Sequence, residues 1–248
     1  KNDSFEKKMC IGIISDPMIN NRHPLITYTA YISIVIQILT TIIGVHGILI
    51  PLSKEHQIIK DIMIMETVVQ IIELCFYITL IYYLFNIRNE LTYTRYFDWA
   101  LTTPIMLFST VLFFQYNNNR AKPETKPETT IEIISKYKTP ILTFTLANWV
   151  MLLCGFLGER KAIPRGSGFF LGSAAFLYSF YVIYNTFVGT STINHLLFFI
   201  MFVIWALYGF AYLAPYYIKN ALYNVLDIFA KNFYGIFIYW KILQLRPL

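Results

Sequence analysis

The chain has 248 residues, of which 56% are hydrophobic and only 14% are charged, and its mean hydropathy is +0.53. Soluble domains carry about 25% charged residues, so this composition excludes an ordinary soluble globule. It also argues against a disordered chain, a nucleic-acid-binding protein and a disulfide scaffold, because the net charge of +6 is spread over short segments and three cysteines cannot all pair internally. The composition therefore predicts an integral, multi-pass membrane protein in contact with lipid.

Seven apolar stretches of spanning length follow one another along the chain, and none has the alternating pattern of a membrane barrel strand. They predict an all-α membrane protein, a bundle of seven transmembrane helices. The approximate bounds of the predicted spans are Leu25–Ile50, Ile62–Phe85, Leu91–Tyr116, Thr139–Leu157, Gly168–Val188, His195–Ile218 and Ala221–Trp240.

The spans divide the chain into an N-terminal segment, the bundle and a short tail, at residues 1–24, 25–240 and 241–248. The N-terminal segment lacks a signal-peptide pattern, and we expect it on the extracellular side. The long third connection, residues 117–138, contains a tandem Lys-Pro-Glu-Thr unit and is predicted to be an exposed loop. Lysine and arginine do not orient the bundle, because the two sides carry nine each outside the spans.

Charged side chains within the spans are the first indication of function, since each costs about 2.5–3.5 kcal/mol near the bilayer centre. Lys231 lies deep in the last span, and Asp227 lies one turn before it on the same helix face. In the third span, Arg95 and Asp98 also share a face. The two cations and two acids would form a neutral buried quartet. A desolvated lysine beside an acid is either a structural ion pair or a residue suited to forming a Schiff base.

Two motifs in these spans, RYFDWALTTP and DIFAK, resemble the third-helix and seventh-helix signatures of microbial (type 1) rhodopsins. The resemblance covers essentially the whole chain and implies a buried pocket for all-trans retinal. It implies that Lys231 binds retinal as a protonated Schiff base, with Asp98 as primary counterion and proton acceptor and Asp227 as second counterion. Arg95 and Thr102 would support these counterions. A neighbouring carboxylate favours a charged nitrogen in a low-dielectric interior.

The same resemblance implies which residues line the retinal, although ordinary aromatic packing is the alternative explanation in a chain so rich in Phe and Tyr. Gly209 stands where the family commonly has a proline, so the retinal slot is expected to differ in shape there. The implied lining residues are Trp99, Thr103, Met106, Asn148, Met151, Gly155, Phe169, Gly172, Trp205, Tyr208 and Tyr212.

Members of this family are often sorted by three positions on the third helix, which here are Asp98, Thr102 and Ser109. The third position lies eleven residues after the first, about 16 Å along the helix, and therefore faces the lysine from the opposite half of the bundle. A carboxylic acid at that position would return a proton to the Schiff base, and serine is not a comparable donor. The Asp-Thr-Ser pattern resembles that of rhodopsins from giant viruses that infect algae and other protists.

Two further acids, Glu66 and Glu73, are spaced i,i+7 on one face of the second span. An inward-facing acidic stripe is suited to coordinating cations along a pore, and channel-type rhodopsins resemble this chain in carrying acids on their second helix. Gln37 and Asn224 would extend this ion path between the first, second and seventh helices. Alternatively, the acids pair with arginine or lie near the membrane ends, and the polar residues make interhelical hydrogen bonds.

The sequence therefore predicts a retinal-binding photoreceptor that transports ions, with a light-gated cation channel as the leading hypothesis. The alternatives are an outward light-driven proton pump that uses Asp98 as acceptor and lacks a carboxylic donor at Ser109, and a sensory rhodopsin without transport. No metal site is expected, because the four histidines lack metal-ligand spacing, and no enzymatic centre is expected, because the sequence has neither a Gly-rich phosphate loop nor a nucleophile triad. The expected partners are the bilayer of a host or viral membrane, cations or protons, and further copies in a homo-oligomer.

Overall fold

The computed structural model describes residues 23–86, 92–121 and 128–247, and the N-terminal segment before residue 23 and most of the tandem repeat lie outside these ranges. Within them the backbone is helical almost throughout and contains no strand. The helices of the described part are α1 Pro24–Leu49, α2 Gln57–Asn86, α3 Arg95–Arg120, α4 Thr130–Lys136, α5 Lys138–Glu159, α6 Arg165–Ile183, α7 Thr192–Leu213, α8 Tyr216–Asp227 and α9 Phe233–Leu245.

The predicted bundle of seven spanning segments is confirmed. Among the described residues, α1, α2, α3, α5, α6 and α7 are each long and apolar enough to cross a bilayer. The seventh segment consists of α8 and α9, which are joined by a π-helical turn, Ile228–Asn232. The backbone keeps right-handed helical dihedral angles at Asp227, Ile228, Asn232 and Phe233, so the segment continues through this turn.

The helices form a closed ring in which each spanning segment packs against its neighbours in the chain, and the last segment returns to contact α1 and α2. α3 is the most deeply buried helix. Large apolar side chains such as Tyr28, Phe170 and Leu196 point away from the bundle, as expected for residues that face lipid. The buried polar and charged side chains of α1, α2, α3, α8 and the π-helical turn therefore have to meet in the interior.

The structure differs from the predicted bounds in the third connection. Helix α3 begins at Arg95 and continues to Arg120. Its last turn is held by two side-chain hydrogen bonds, because Asn117 donates to Asn194 Oδ1 and Asn118 donates to the carbonyl of Phe187, each at 2.8 Å. The rest of the connection is not all loop. A capping box of Thr129 and Glu132 starts α4, which buries Ile133.

The boundary between the last two spans also differs from the prediction. Helix α7 ends at Leu213 and the next helix starts directly after Pro215, although the sixth span was predicted to continue to Ile218 and the seventh to begin at Ala221. Proline has no backbone N–H and fixes φ at a helical value, so it ends one helix and is well suited to begin another. The last segment thus runs from Tyr216 to Leu245 and includes part of the predicted tail.

Candidate functional site

Lys231 lies in the π-helical turn of the last segment, and only 2% of its surface is exposed. Its Nζ atom lies 2.9 Å from Asp98 Oδ2, 3.0 Å from Glu73 Oε1 and 3.6 Å from Asp227 Oδ1. Single π-helical turns inside α-helices are frequent at functional sites. The predicted juxtaposition of the lysine with Asp98 and Asp227 is therefore present, and a third carboxylate joins it.

From the sequence, that third carboxylate, Glu73, was expected in an ion path rather than beside the lysine. The sequence does contain a signal for the position of Glu73 in the bundle interior, which is a helical spacing of i, i+4, i+7 and i+11 on α2. The residues at this spacing form a stripe of buried side chains, Glu66, Gln70, Glu73 and Tyr77. With Glu73 included, Arg95 and Lys231 oppose three acids, so fully ionised side chains would leave a net charge of −1. A proton shared among the three acids makes the cluster neutral, which is less costly in a buried site.

Arg95 projects from the first turn of α3 and is fully buried. Its Nη1 lies 3.4 Å from Asp227 Oδ2, its Nη2 donates to Asn224 Oδ1, and its Nε donates to Asn220 Oδ1 at 3.4 Å. The guanidinium also lies over the rings of Phe76, Tyr77 and Tyr223. These contacts hold the charge of Arg95 on one side of the lysine.

Both oxygens of the Asp227 carboxylate accept a hydrogen bond from a tyrosine. Tyr77 donates to Oδ2 and Tyr208 donates to Oδ1, each at 2.8 Å. Asp98 is held less completely, because its Oδ1 has no hydrogen-bond partner within the described ranges. Thr102, which the resemblance implied as support for the counterions, donates to the main-chain carbonyl of Asp98 at 3.0 Å rather than to its carboxylate.

A cavity of about 400 Å³ opens beside the lysine, between α3, α5, α6, α7 and the last segment, and Lys231 forms part of its wall. Its size and its mainly apolar walls are typical of a small-molecule site. Ten of the eleven expected lining residues face it, namely Trp99, Thr103, Met106, Met151, Gly155, Phe169, Gly172, Trp205, Tyr208 and Tyr212.

The eleventh expected residue, Asn148, is not part of the cavity wall and donates instead to Thr103 Oγ1 at 2.8 Å. Tyr96 and Tyr223 were not among the expected lining residues, and they complete the aromatic wall around Trp99 with edge-to-face contacts. For Tyr96 the sequence did contain a signal, because it lies three residues before Trp99 on the same helix and therefore on the same helix face.

Glycines bring the backbone close to this cavity. A Cβ atom at Gly155 would lie 2.7 Å from Tyr96 Oη, and one at Gly172 would lie 3.4 Å from the carbonyl oxygen of Met151. Gly209, which stands where the family commonly has a proline, is part of the wall beside Phe169, whose ring would lie 3.7 Å from an added Cβ. The slot therefore remains present without the proline.

A second group of buried polar side chains lies on the other side of Lys231, between α1, α2 and the last segment. Gln37 donates to Glu73 Oε2 and to Asn232 Oδ1, the latter at 3.1 Å. Asn232 donates in return to Gln37 Oε1 at 2.9 Å and to Thr40 Oγ1 at 2.7 Å. We call Gln37, Glu73 and Asn232 the cross-link, because they join three helices at the level of the lysine.

The other predicted path residues lie on either side of the cross-link. Asn224 is on the side of Arg95, where it donates to Thr29 Oγ1 at 2.8 Å. Glu66 is on the opposite side and bonds to Ser109, the third motif position, rather than to α1. The structure thus brings Gln37 and Glu73 together, and it leaves Glu66 and Asn224 at opposite ends.

Comparisons with known proteins agree with this architecture. The model of the bacteriorhodopsin-like protein family matches residues 29–245. The crystal structure of viral rhodopsin OLPVRII is similar at 31% identity, covering 90% of this chain and 100% of that one, with a TM-score of 0.77. A blue light-absorbing proteorhodopsin from Med12 has the same fold at 19% identity, covering 88% of this chain and 97% of that one, with a TM-score of 0.68.

The opsin-like protein carO of Fusarium fujikuroi is 25% identical to the chain, and the match covers 65% of this chain and 52% of that protein. The chain thus spans about half the length of the curated relatives that it matches.

Proposed function

The chain belongs to the bacteriorhodopsin-like family of microbial rhodopsins, and from this premise we propose that it is a light-gated cation channel. As a member of this family it is an integral membrane protein that binds retinal through a Schiff base. When bound, retinal links to a lysine by condensation of its aldehyde with the amine and release of water, and it supplies a light-absorbing cation.

We assign the attachment site to Lys231. Two lysines of the described ranges are buried, and the other one, Lys219, is paired with Glu159 at 2.7 Å and does not face the cavity. Lys231 faces the cavity and also contacts acids that would balance the charge on its nitrogen. Trp99 and Trp205 enclose the apolar part of the same site.

The observation that carries the channel proposal is the contact between Lys231 and the cross-link. The lysine nitrogen lies 3.0 Å from Glu73, whose other carboxylate oxygen accepts from Gln37. A displacement of the positive charge at Lys231 changes the electrostatic attraction between this charge and the Glu73 carboxylate. The contact that holds Glu73 to Gln37 on α1 is weakened as a result. Separation of the cross-link residues would connect the polar side chains near Asn224 with those beyond Thr40 in one continuous path. Polar side chains of this kind can replace water around a cation.

A proton pump is the second candidate, and one specific contact favours it. Asp98 Oδ2 lies 2.9 Å from Lys231 Nζ, which is close enough to accept a proton directly. The second oxygen of this carboxylate has no hydrogen-bond partner among the described residues, so it is free to bond elsewhere after protonation. Asp98 serves in both proposals, and the direction of the current distinguishes them.

Patch-clamp recording of photocurrents at a series of voltages and ion gradients tests the channel. We expect currents that reverse near the equilibrium potential of a cation. A unidirectional current that persists against the gradient would overturn the channel and support the pump. Cells that produce the coloured protein but no photocurrent would overturn both.

A variant of the cross-link tests the mechanism. Gln37→Leu removes the hydrogen bond to Glu73, which is worth about 1.5–3 kcal/mol if the acceptor is charged. We expect closing of the channel after light to slow about tenfold or more, because the closed arrangement loses this bond. Gln57→Leu is the matched control, since Gln57 is exposed at the start of α2. Equal closing rates in the two variants would exclude the cross-link as the gate.

A further inference from the structure

The helix ends on the Arg95 side carry an ion pair that is almost fully buried. Glu159 is the last residue of α5, and Lys219 lies in the first turn of α8, next to the Asn220 that bonds to Arg95. Both carboxylate oxygens of Glu159 lie 2.7 Å from Lys219 Nζ. Only 10% of the Glu159 side chain and 5% of the Lys219 side chain are exposed. Because the removal of ions from water has a large desolvation cost, this pair needs an explanation.

The helix dipoles do not explain these two charges. An acid is disfavoured at the C-terminus of a helix and a lysine is disfavoured at the N-terminus, because each repels the partial charge of the same sign at that end. Glu159 and Lys219 stand at these disfavoured ends of α5 and α8. Their positions are explained instead by their contact with each other, which joins α5 to α8.

A second contact at the same level joins α6 to α7. Arg165 is the first residue of α6, and its Nη2 donates to the main-chain carbonyls of Tyr212 and Ala214, the latter at 3.0 Å. The guanidinium also lies 5.2 Å from the centre of the Tyr212 ring. Arg165 thus satisfies carbonyls at the end of α7, where a helix leaves them without intrahelical partners.

These charged residues cover one end of the cavity. Each of them lies three or four positions along its own helix from a residue of the cavity wall, and therefore one turn away on the same helix face. The wall residues concerned are Gly155, Gly168 and Tyr223. The packing beneath is close, since a Cβ atom at Gly168 would lie 3.1 Å from Tyr212 Oη. We call Glu159, Lys219 and Arg165 the polar layer.

We propose that the polar layer closes the cavity against the solution on the Arg95 side, with Glu159 and Lys219 as its positioning residues. While α8 is held against α5, water does not reach the Lys231 nitrogen through the cavity. The linkage to retinal is thereby protected from hydrolysis, in which water adds to the carbon bonded to this nitrogen, the carbon–nitrogen bond breaks, and the aldehyde and the amine are released. Loss of either charge favours an opening that returns the other charge to water.

Protection of the linkage rests on Lys231 as the retinal attachment site. Closure of the cavity does not rest on it, and neither effect depends on whether the protein is a channel or a pump. Two experiments separate closure from protection.

Labelling of a thiol in the retinal-free protein tests closure without colour or light. Ala230→Cys places the thiol on the cavity wall next to Lys231, in a background whose three native cysteines are replaced by serine. We expect a charged, water-soluble methanethiosulfonate to label it at least about tenfold faster when Glu159→Gln is added, because an unpaired buried charge favours opening. Glu128→Gln is the matched control, since it breaks a pair of similar length, 2.6 Å to Lys136, in the third connection. Equal labelling rates in the two variants would overturn the proposal.

Bleaching by hydroxylamine tests protection in the retinal-bound protein. This water-soluble nucleophile adds to the carbon of the linkage, displaces the lysine amine and removes the colour. We expect Glu159→Gln and Lys219→Met to bleach in the dark at least about tenfold faster, at an unchanged absorption maximum. The double variant Glu159→Lys with Lys219→Glu should restore slow bleaching, because it re-forms the pair with each charge at its favoured helix end.

Two results would contradict this role. Bleaching at the unchanged rate in both single variants would overturn the protection, and so would a double variant that bleaches as fast as the single variants. Absence of colour in the unchanged protein would contradict the retinal proposal instead, and the labelling rates would still decide whether the polar layer closes the cavity.

Discussion

The polar interior on the two sides of Lys231 differs in how completely its groups are bonded. On the Arg95 side, Arg95, Asn220, Asn224, Tyr77 and Asp227 form a network in which no buried side-chain nitrogen or oxygen of the described part lacks a partner. On the Ser109 side, four side chains each keep a buried polar atom without a hydrogen bond within the described ranges. They are Thr41, Glu66, Gln70 and Tyr234.

This difference indicates which side is built to rearrange. A buried polar group without a partner costs about 1–3 kcal/mol, so four of them in one region need a functional explanation. The Arg95 side holds Asp227 and its partners in one arrangement. The Ser109 side contains groups with unused bonding capacity, and proton transfer or ion passage can use this capacity.

The largest effect is expected at Lys231, where the two sides meet. Lys231→Ala removes the amine that retinal needs, so visible absorbance should be abolished after retinal is added. The measurement is the absorption spectrum of the purified variant. Lys219→Ala is the matched control, because it removes the other buried lysine of the described part and should leave the colour present. Colour that survives in Lys231→Ala would mean that another residue holds retinal.

Arg95 and Glu66 test the two sides directly through stability. Arg95→Gln removes one of the two buried cations beside Asp227 and leaves only Lys231 at 3.6 Å, and loss of one partner of a buried pair costs about 3–5 kcal/mol. Glu66 takes part in none of the ion pairs formed within the described ranges, so Glu66→Gln should change the free energy of unfolding by less than about 1 kcal/mol. Unfolding of the two retinal-free variants by detergent titration gives both values. Similar losses would remove the distinction between a rigid side and an adaptable side.

Much of this architecture was predictable from the sequence. Hydropathy located the seven segments, because only long apolar helices can satisfy their backbone within a bilayer. Lys231, Asp98, Asp227 and Arg95 were predictable because their chemistry is costly in a span, and their motifs resemble those of a known family. The bounds were less accurate, since they depend on local features such as the proline that begins α8.

The roles of the two α2 acids could not be predicted from their spacing. Glu66 and Glu73 share a helix face, which is a local property, but their partners depend on how α2 is placed against three other helices. The structure places Glu73 beside Lys231 and Glu66 beside Ser109. The π-helical turn also shifts the register of the last segment, and nothing in the motif DIFAK signals that turn. A sequence pattern identifies a face, whereas contacts between helices assign the partners.

Asn224 and Gln70 offer a comparison of two buried amides. Asn224 accepts from Arg95 and donates to Thr29, so Asn224→Ala should cost about 1–3 kcal/mol through the partners left unpaired. Gln70 has a side-chain oxygen without a partner among the described residues, and Gln70→Leu should be neutral or slightly stabilising. Detergent unfolding measures both changes. A large loss in Gln70→Leu would show that its amide is bonded as firmly as that of Asn224.

Gly44 tests whether the adaptable side extends to the helix backbones. A Cβ atom at Gly44 would lie 2.5 Å from Thr67 Oγ1, where α1 and α2 approach closely on the Ser109 side. Thr67 is β-branched and donates to the Met63 carbonyl at 2.7 Å, so it cannot easily turn away, and Gly44→Ala should destabilise the protein by about 1–2 kcal/mol. Gly166→Ala, with no atom within 4 Å of its added Cβ, should be neutral or stabilising by up to about 1 kcal/mol. If Gly44→Ala changes the free energy of unfolding as little as this control does, the helix backbones on the Ser109 side can move apart. If Gly44→Ala is clearly more destabilising, only the polar side chains on that side can rearrange.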